Sequence, residues 1–216
     1  MNRLISPGKT NDLVRRLKEN GVEFSIDQEK HRLIFKDPSE NELFLRLPLN
    51  FTLTDFSQAP LHYVILLIQS GHCSLGYFEN ERNRDHKVFK SYMVRMKQGF
   101  SQVKYLKTKG KSRAGSRVRL GETAEFFENI NSRLQEYFSN YHIDKIAISC
   151  PKILIPFLYG SKGSCPFDKN DPRLFKIPKH IHTPGYEILL NAQRYLLSGE
   201  LIFQEEQSSF VGSLLG

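Results

Sequence analysis

Lys97-Gln98-Gly99-Phe100-Ser101-Gln102 sets two neutral amides beside a glycine and a serine, in the middle of a strongly cationic stretch. Residues 87–119 hold 11 Lys or Arg and no Asp or Glu. The whole chain has 31 basic and 23 acidic residues, a net +8, so outside this stretch 20 basic groups meet 23 acidic ones. The positive charge is therefore local. A confined run of cations suits phosphate, because each contact releases counterions condensed on a nucleic acid. A second run, Lys109-Gly110-Lys111-Ser112-Arg113-Ala114-Gly115-Ser116, continues the pattern. Glycines, small residues and cations around an amide describe a loop that touches RNA and carries a glutamine for a purpose of its own.

The elements around that loop must hold it. A length of 216 residues with 39% hydrophobic content and 16 Phe supports one medium domain with a small appendage. A helix is expected over 11–20, capped by Thr10 and stopped at Gly21, with Leu13, Val14 and Leu17 on one face. Strands are expected over 22–26, 32–36 and 42–47, and a linker over 48–60. The main domain opens with the apolar run 61–69, read as a buried strand. Strands at 73–79 and 87–96 follow, with a polar turn over 79–85 between them, as an antiparallel meander. After the loop, about 97–116, helix 119–141 carries Phe126, Phe127, Ile130, Leu134, Tyr137 and Phe138 at helical spacing. Strand 145–149, a helix starting near Pro151, a loop over 159–171, strand 174–182 and helix 186–197 complete it. The division is thus a small α/β appendage over 1–58, a main domain over 59–203 and a tail over 204–216. The fold class is α/β, a mixed sheet flanked by helices, an order compatible with an RNase H-like layer fold.

On these residues a family resemblance rests. The run 93–134 resembles the catalytic domain of Vms-type release factors, relatives of the class-one peptide release factors of eukaryotes and archaea, in a bacterial version. The matching parts are Lys97-Gln98-Gly99, Ser101-Gln102, the Lys/Gly/Ser stretch, Ala114-Gly115-Ser116 and the helix that follows. The resemblance covers roughly 61–203. It implies the RNase H-like middle domain of release factors and peptidyl-tRNA hydrolysis on the large ribosomal subunit. By motif position Gln102 is the catalytic glutamine, and Gly99 and Ser101 shape its loop. A Gln amide is no general base at neutral pH, but it can hold a water by accepting from it and donating to a neighbour. Lys97, Lys104, Lys107, Lys109, Lys111, Arg113, Arg117 and Arg119 would then neutralise phosphates of tRNA and ribosomal RNA, and Gly99, Gly110 and Gly115 would keep the loop mobile until it docks. Ser101 stands where conventional release factors carry a second glycine, and Phe100 where some relatives have a small residue. The chain is too short for a codon-reading domain, so release would be codon-independent, in rescue of stalled or split subunits. The expected partners are the large subunit, peptidyl-tRNA and ribosomal RNA, with no cofactor.

Other chemistries are less well supplied. Two-metal hydrolysis needs carboxylates on adjacent strands, and 61–69 and 87–96 carry none. A metal-independent tRNA endonuclease using His86, or a non-catalytic ribosome- or RNA-binding factor, remains as an alternative. His180 and His182 would share a strand face but lack a third metal ligand. Cys73, Cys150 and Cys165 show no CxxC spacing, which argues against zinc or disulfides and for a reducing cytoplasm. Gly160-Ser161-Lys162-Gly163-Ser164 lacks Walker spacing and reads as a flexible linker or a second RNA contact. No apolar run is long enough to span a membrane.

Overall fold

The structure is a computed structural model that describes residues 1–91 and 112–216, with side chains described from residue 121 onward in the second part. Its elements are two five-stranded sheets flanked by helices, a mixed α/β architecture.

The first sheet is built from β1 (Asn2–Ile5), β2 (Phe24–Asp27), β3 (Arg32–Lys36), β4 (Glu42–Arg46) and β10 (Gly199–Ile202), in the order β1-β10-β4-β3-β2 and antiparallel throughout. Helix α1 (Pro7–Glu19) covers one face with Leu13, Val14 and Leu17. It starts earlier than expected. Ser6 is the N-cap, its Oγ accepting from the Lys9 amide, and Pro7 occupies the first turn, where its missing N–H costs nothing. Thr10, expected as the cap, is buried inside the helix and donates to the Ser6 carbonyl. Gly21, at φ 64°, ends the helix as expected.

Two further differences concern the ends of the chain. Residues 204–216, expected as a tail, hold a 3-10 turn at Glu205–Gln207 and a helix, Ser208–Leu215. Val211 of that helix is buried in the first sheet's core, and the buried Gln207 Nε2 donates to Asp37 Oδ2. Residues 199–202, expected inside the main domain, form β10 between β1 and β4. The stretch 48–60 is no loose linker, because Leu49, Phe51 and Phe56 are buried.

The second sheet comprises β5 (His62–Gln69), β6 (His72–Glu79), β7 (Arg82–Lys90), β8 (Lys145–Ser149) and β9 (Leu174–Lys176), in the order β7-β6-β5-β8-β9. β5, β6 and β7 form the expected antiparallel meander, and β5–β8 and β8–β9 are parallel. β5 reads as a continuous apolar run because both its faces are covered. Val64, Leu66 and Ile68 meet helix α2 (Ser112–Asn140) through Phe126, Phe127, Ile130, Leu134 and Tyr137, with Leu158 of helix α3 (Ile155–Gly160). Tyr63, Ile65 and Leu67 meet Leu189, Ala192 and Leu196 of helix α4 (Tyr186–Leu196).

β7 differs most from its expected span of 87–96. It begins at Arg82, so the expected turn 79–85 shrinks to Asn80-Glu81, with Asn80 at φ 53°. The strand is an edge, mostly exposed, and a register shift opposite Tyr77 and Phe78 breaks its alternation. Residues 92–96 of the expected strand lie outside the described residues. α2 begins at Ser112, so 112–116 and Gly115 belong to a helix rather than to the loop. β9 stops at Lys176, short of the expected 182.

Candidate functional site

The site expected at the glutamine loop is described at its two roots. Gly99, Ser101 and Gln102 lie outside the described residues, as do Lys97, Lys104, Lys107, Lys109 and Lys111. The mobility expected of 97–116 concerns, as far as residue 111, residues outside the described ones. Arg113, Arg117 and Arg119 fall in the first two turns of α2, and their side chains are not described. Ser91, just after β7, and Ser112, the first residue of α2, are therefore the described residues that flank the glutamine motif.

Both roots are fastened. After β7 the Ser91 amide donates to the Gly71 carbonyl at 2.9 Å, and the Ser91 hydroxyl donates to the Glu122 carbonyl of α2 at 3.3 Å. Further along, Arg133 of α2 ion-pairs with Asp85 of β7 and with Glu136, its guanidinium 5.1 Å from the Tyr137 ring. Burial, reinforced by the Asp85 charge, pushes the Tyr137 phenol up to about 12. Beneath these contacts Phe126, Phe127, Ile130 and Leu134 are buried against the sheet, each at 3% exposure or less. The helix stripe follows from the spacing. The Asp85–Arg133 clamp does not, because its members are 48 residues apart and read singly as surface charges.

Asp85 also changes the carboxylate inventory, since β7 as folded contains it. It is engaged by Arg133. His86, the candidate for metal-independent RNA cleavage, is stacked on Tyr186 with ring centroids 3.8 Å apart. His180 and His182 lie beyond β9 with ring centroids 4.4 Å apart, so they do not share a strand face. Among the described residues no group of three His, Cys, Asp or Glu is placed to hold a metal, and no helix is long and apolar enough to cross a membrane.

The loop 160–164 is tied down rather than free. Asn131 Nδ2 of α2 lies within 2.8 Å of the Leu158 and Gly163 carbonyls and of Ser161 Oγ, and Gln135 Nε2 donates to the Ser164 carbonyl at 2.7 Å. An interior helix amide thus satisfies backbone acceptors that a linker would leave to water. Cys150 and Cys165 are half-buried against the same core, and burial raises their thiols to about 12 and about 11. Both are protonated near neutrality, which removes the thiolate a nucleophile needs.

A family model described as Bacteroidetes VLRF1 release factor matches residues 63–202, from β5 through the end of β10. The match encloses the second sheet, both loop roots and the glutamine motif. Among solved structures, one described as "Vms1 mitochondrial localization core" aligns with a TM-score of 0.44 at 14% identity, covering 94% of this chain and 86% of that chain. No curated protein matches the sequence.

Proposed function

We propose that this chain, which belongs to the Bacteroidetes VLRF1 release factor family, hydrolyses peptidyl-tRNA on stalled or split large ribosomal subunits without reading a codon. Gln102 holds the attacking water by accepting a hydrogen bond from it. The water oxygen bonds to the ester carbonyl carbon, the bond to the tRNA ribose oxygen breaks, and that oxygen leaves with the proton. Positioning is what such a reaction needs, because the ester is already activated and the ribosome holds it. Backbone N–H groups near Gln102 would stabilise the developing oxyanion. The cations of 97–119 neutralise tRNA and ribosomal RNA phosphates, Gly99 and Ser101 shape the loop, and the reaction takes place in the cytoplasm. The second sheet with its helices, from β5 to α4, is read as an RNase H-like release factor middle domain. Its strand order, three antiparallel strands followed through a helix by two parallel ones, supports that reading.

The observation that carries the reading is the family match over a segment whose only strongly basic stretch contains the glutamine motif.

Peptide release from peptidyl-tRNA on isolated large subunits, wild type against Gln102→Ala, tests this. We expect the variant to bind subunits normally and to release at least about 100-fold more slowly, the scale of losing one transition-state contact. Equal release by the variant removes the role given to Gln102. Binding by both proteins without release moves the function to that of a ribosome-binding factor.

A further inference from the structure

A cleft of about 760 Å³ opens between the two sheets. The cleft is lined by β9, at the opposite edge of the second sheet from β7. Four strand spacings separate those edges, about 19 Å. We propose that this cleft binds a nucleotide, free or as an exposed residue of an RNA strand, with the base against its apolar floor and the phosphate on its lysines.

The floor is apolar and partly aromatic. Ile148 and Cys150 from the end of β8, Leu174 and Phe175 of β9, and Ile155 and Tyr159 of α3 line it. The rim is cationic. Lys152, Lys169 and Lys176 come from the second sheet's wall and Lys30 from the β2–β3 turn. None of these four makes an ion pair among the described residues. Lys169 instead lies 5.4 Å from the Tyr159 ring.

The remaining charges on the lining are already committed, with one exception. Arg46 and Glu200 pair with each other, Glu200 also accepts from Tyr195 and Asn2, and Arg32 pairs with Asp27. Glu29 alone opposes the four lysines. The uncommitted charge at the mouth is thus about +3.

A cleft of this size with a mostly apolar floor and charged groups at its rim is the form of a small-molecule site. The charge selects among occupants. A fatty acid brings one negative charge and a flexible chain. A nucleotide brings a flat body that stacks on aromatic and apolar side chains, and a phosphate that carries more charge than a carboxylate. Lysine suits phosphate as a mobile point charge.

The test is calorimetric titration of the full chain with adenosine 5′-monophosphate, with inorganic phosphate and with hexaadenylate RNA. The comparison protein is the double variant Lys152→Glu with Lys176→Glu. Both positions are exposed, and a thermal melt of each protein verifies folding. We expect the nucleotide to bind at least tenfold more tightly than phosphate, and the double variant to weaken it at least tenfold. Gln102→Ala should retain the binding, which separates this site from the proposed catalytic loop. Displacement of the nucleotide by hexaadenylate assigns the site to RNA, and its persistence assigns it to a free nucleotide. Phosphate binding as tightly as the nucleotide, no heat at millimolar nucleotide, or unchanged affinity in a folded double variant each overturns the proposal.

Discussion

His31 should make this protein lose stability well above the pH at which its carboxylates protonate. The residue sits in the turn just before β3 and is 7% exposed, its Nε2 lying 3.1 Å from the Pro48 carbonyl. That geometry suits a neutral ring whose Nε2–H donates. Burial, with the Lys145 and Arg46 charges adding to it, lowers the imidazole from 6.5 to about 4, against the opposing pull of the Pro48 carbonyl. Between pH 4 and 6.5 the unfolded chain therefore holds a proton that the folded chain does not. Stability is complete above pH 6.5 and falls as the pH drops toward 4. The full loss is about 3 kcal/mol, of which about 2.5 kcal/mol has gone by pH 4.5. Urea unfolding of wild type and His31→Gln at pH 7.5, 5.5 and 4.5 measures it. Gln keeps a donor for Pro48 and does not titrate. The strain of its left-handed backbone, φ 50°, is the same at every pH. Asp27, Asp37, Asp55 and Asp171 are all held below the ordinary carboxylate range by hydrogen bonds or ion pairs, and their losses are common to both proteins. We expect the gap between the two stabilities to narrow or reverse by about 2.5 kcal/mol between pH 7.5 and 4.5. Parallel pH profiles would refute the reasoning, because they would mean that the His31 ring is as free to take a proton folded as unfolded.

Two further perturbations probe the frame. Arg46→Ala should cost about 3–5 kcal/mol in urea unfolding, because it strands the Glu200 carboxylate in a site where Arg46 is 2% exposed; a cost under about 1 kcal/mol would mean that water reaches the pair. Gly76→Ala should lower thermal stability by about 1–3 kcal/mol, since a Cβ there would stand 2.8 Å from Leu189 Cδ2 and 2.9 Å from Phe78 Cε2; an unchanged melting temperature would mean that α4 packs more loosely on β6.

Much of the second sheet was legible in the chain. The apolar run at β5, the strand at β6, the short β8 and the aromatic stripe of α2 are local patterns, and each fell within a residue or two of its place except the start of α2. The glutamine motif and its confined charge are equally local, which is why the family could be read there. The errors have one physical source. β7 is an edge strand held by backbone bonds to β6, so its mostly polar, exposed side chains give no periodic signal. β10 is four residues long and contains Glu200, which reads as a surface charge until Arg46, 154 positions away, is folded against it. Asp85 and Arg133, His31 under Pro48, and the lysines around the cleft share that property. Periodicity reports which face of one element is buried. Only the tertiary structure decides which distant element covers it, because contacts between far segments are set by closing the chain rather than by any residue's own preference.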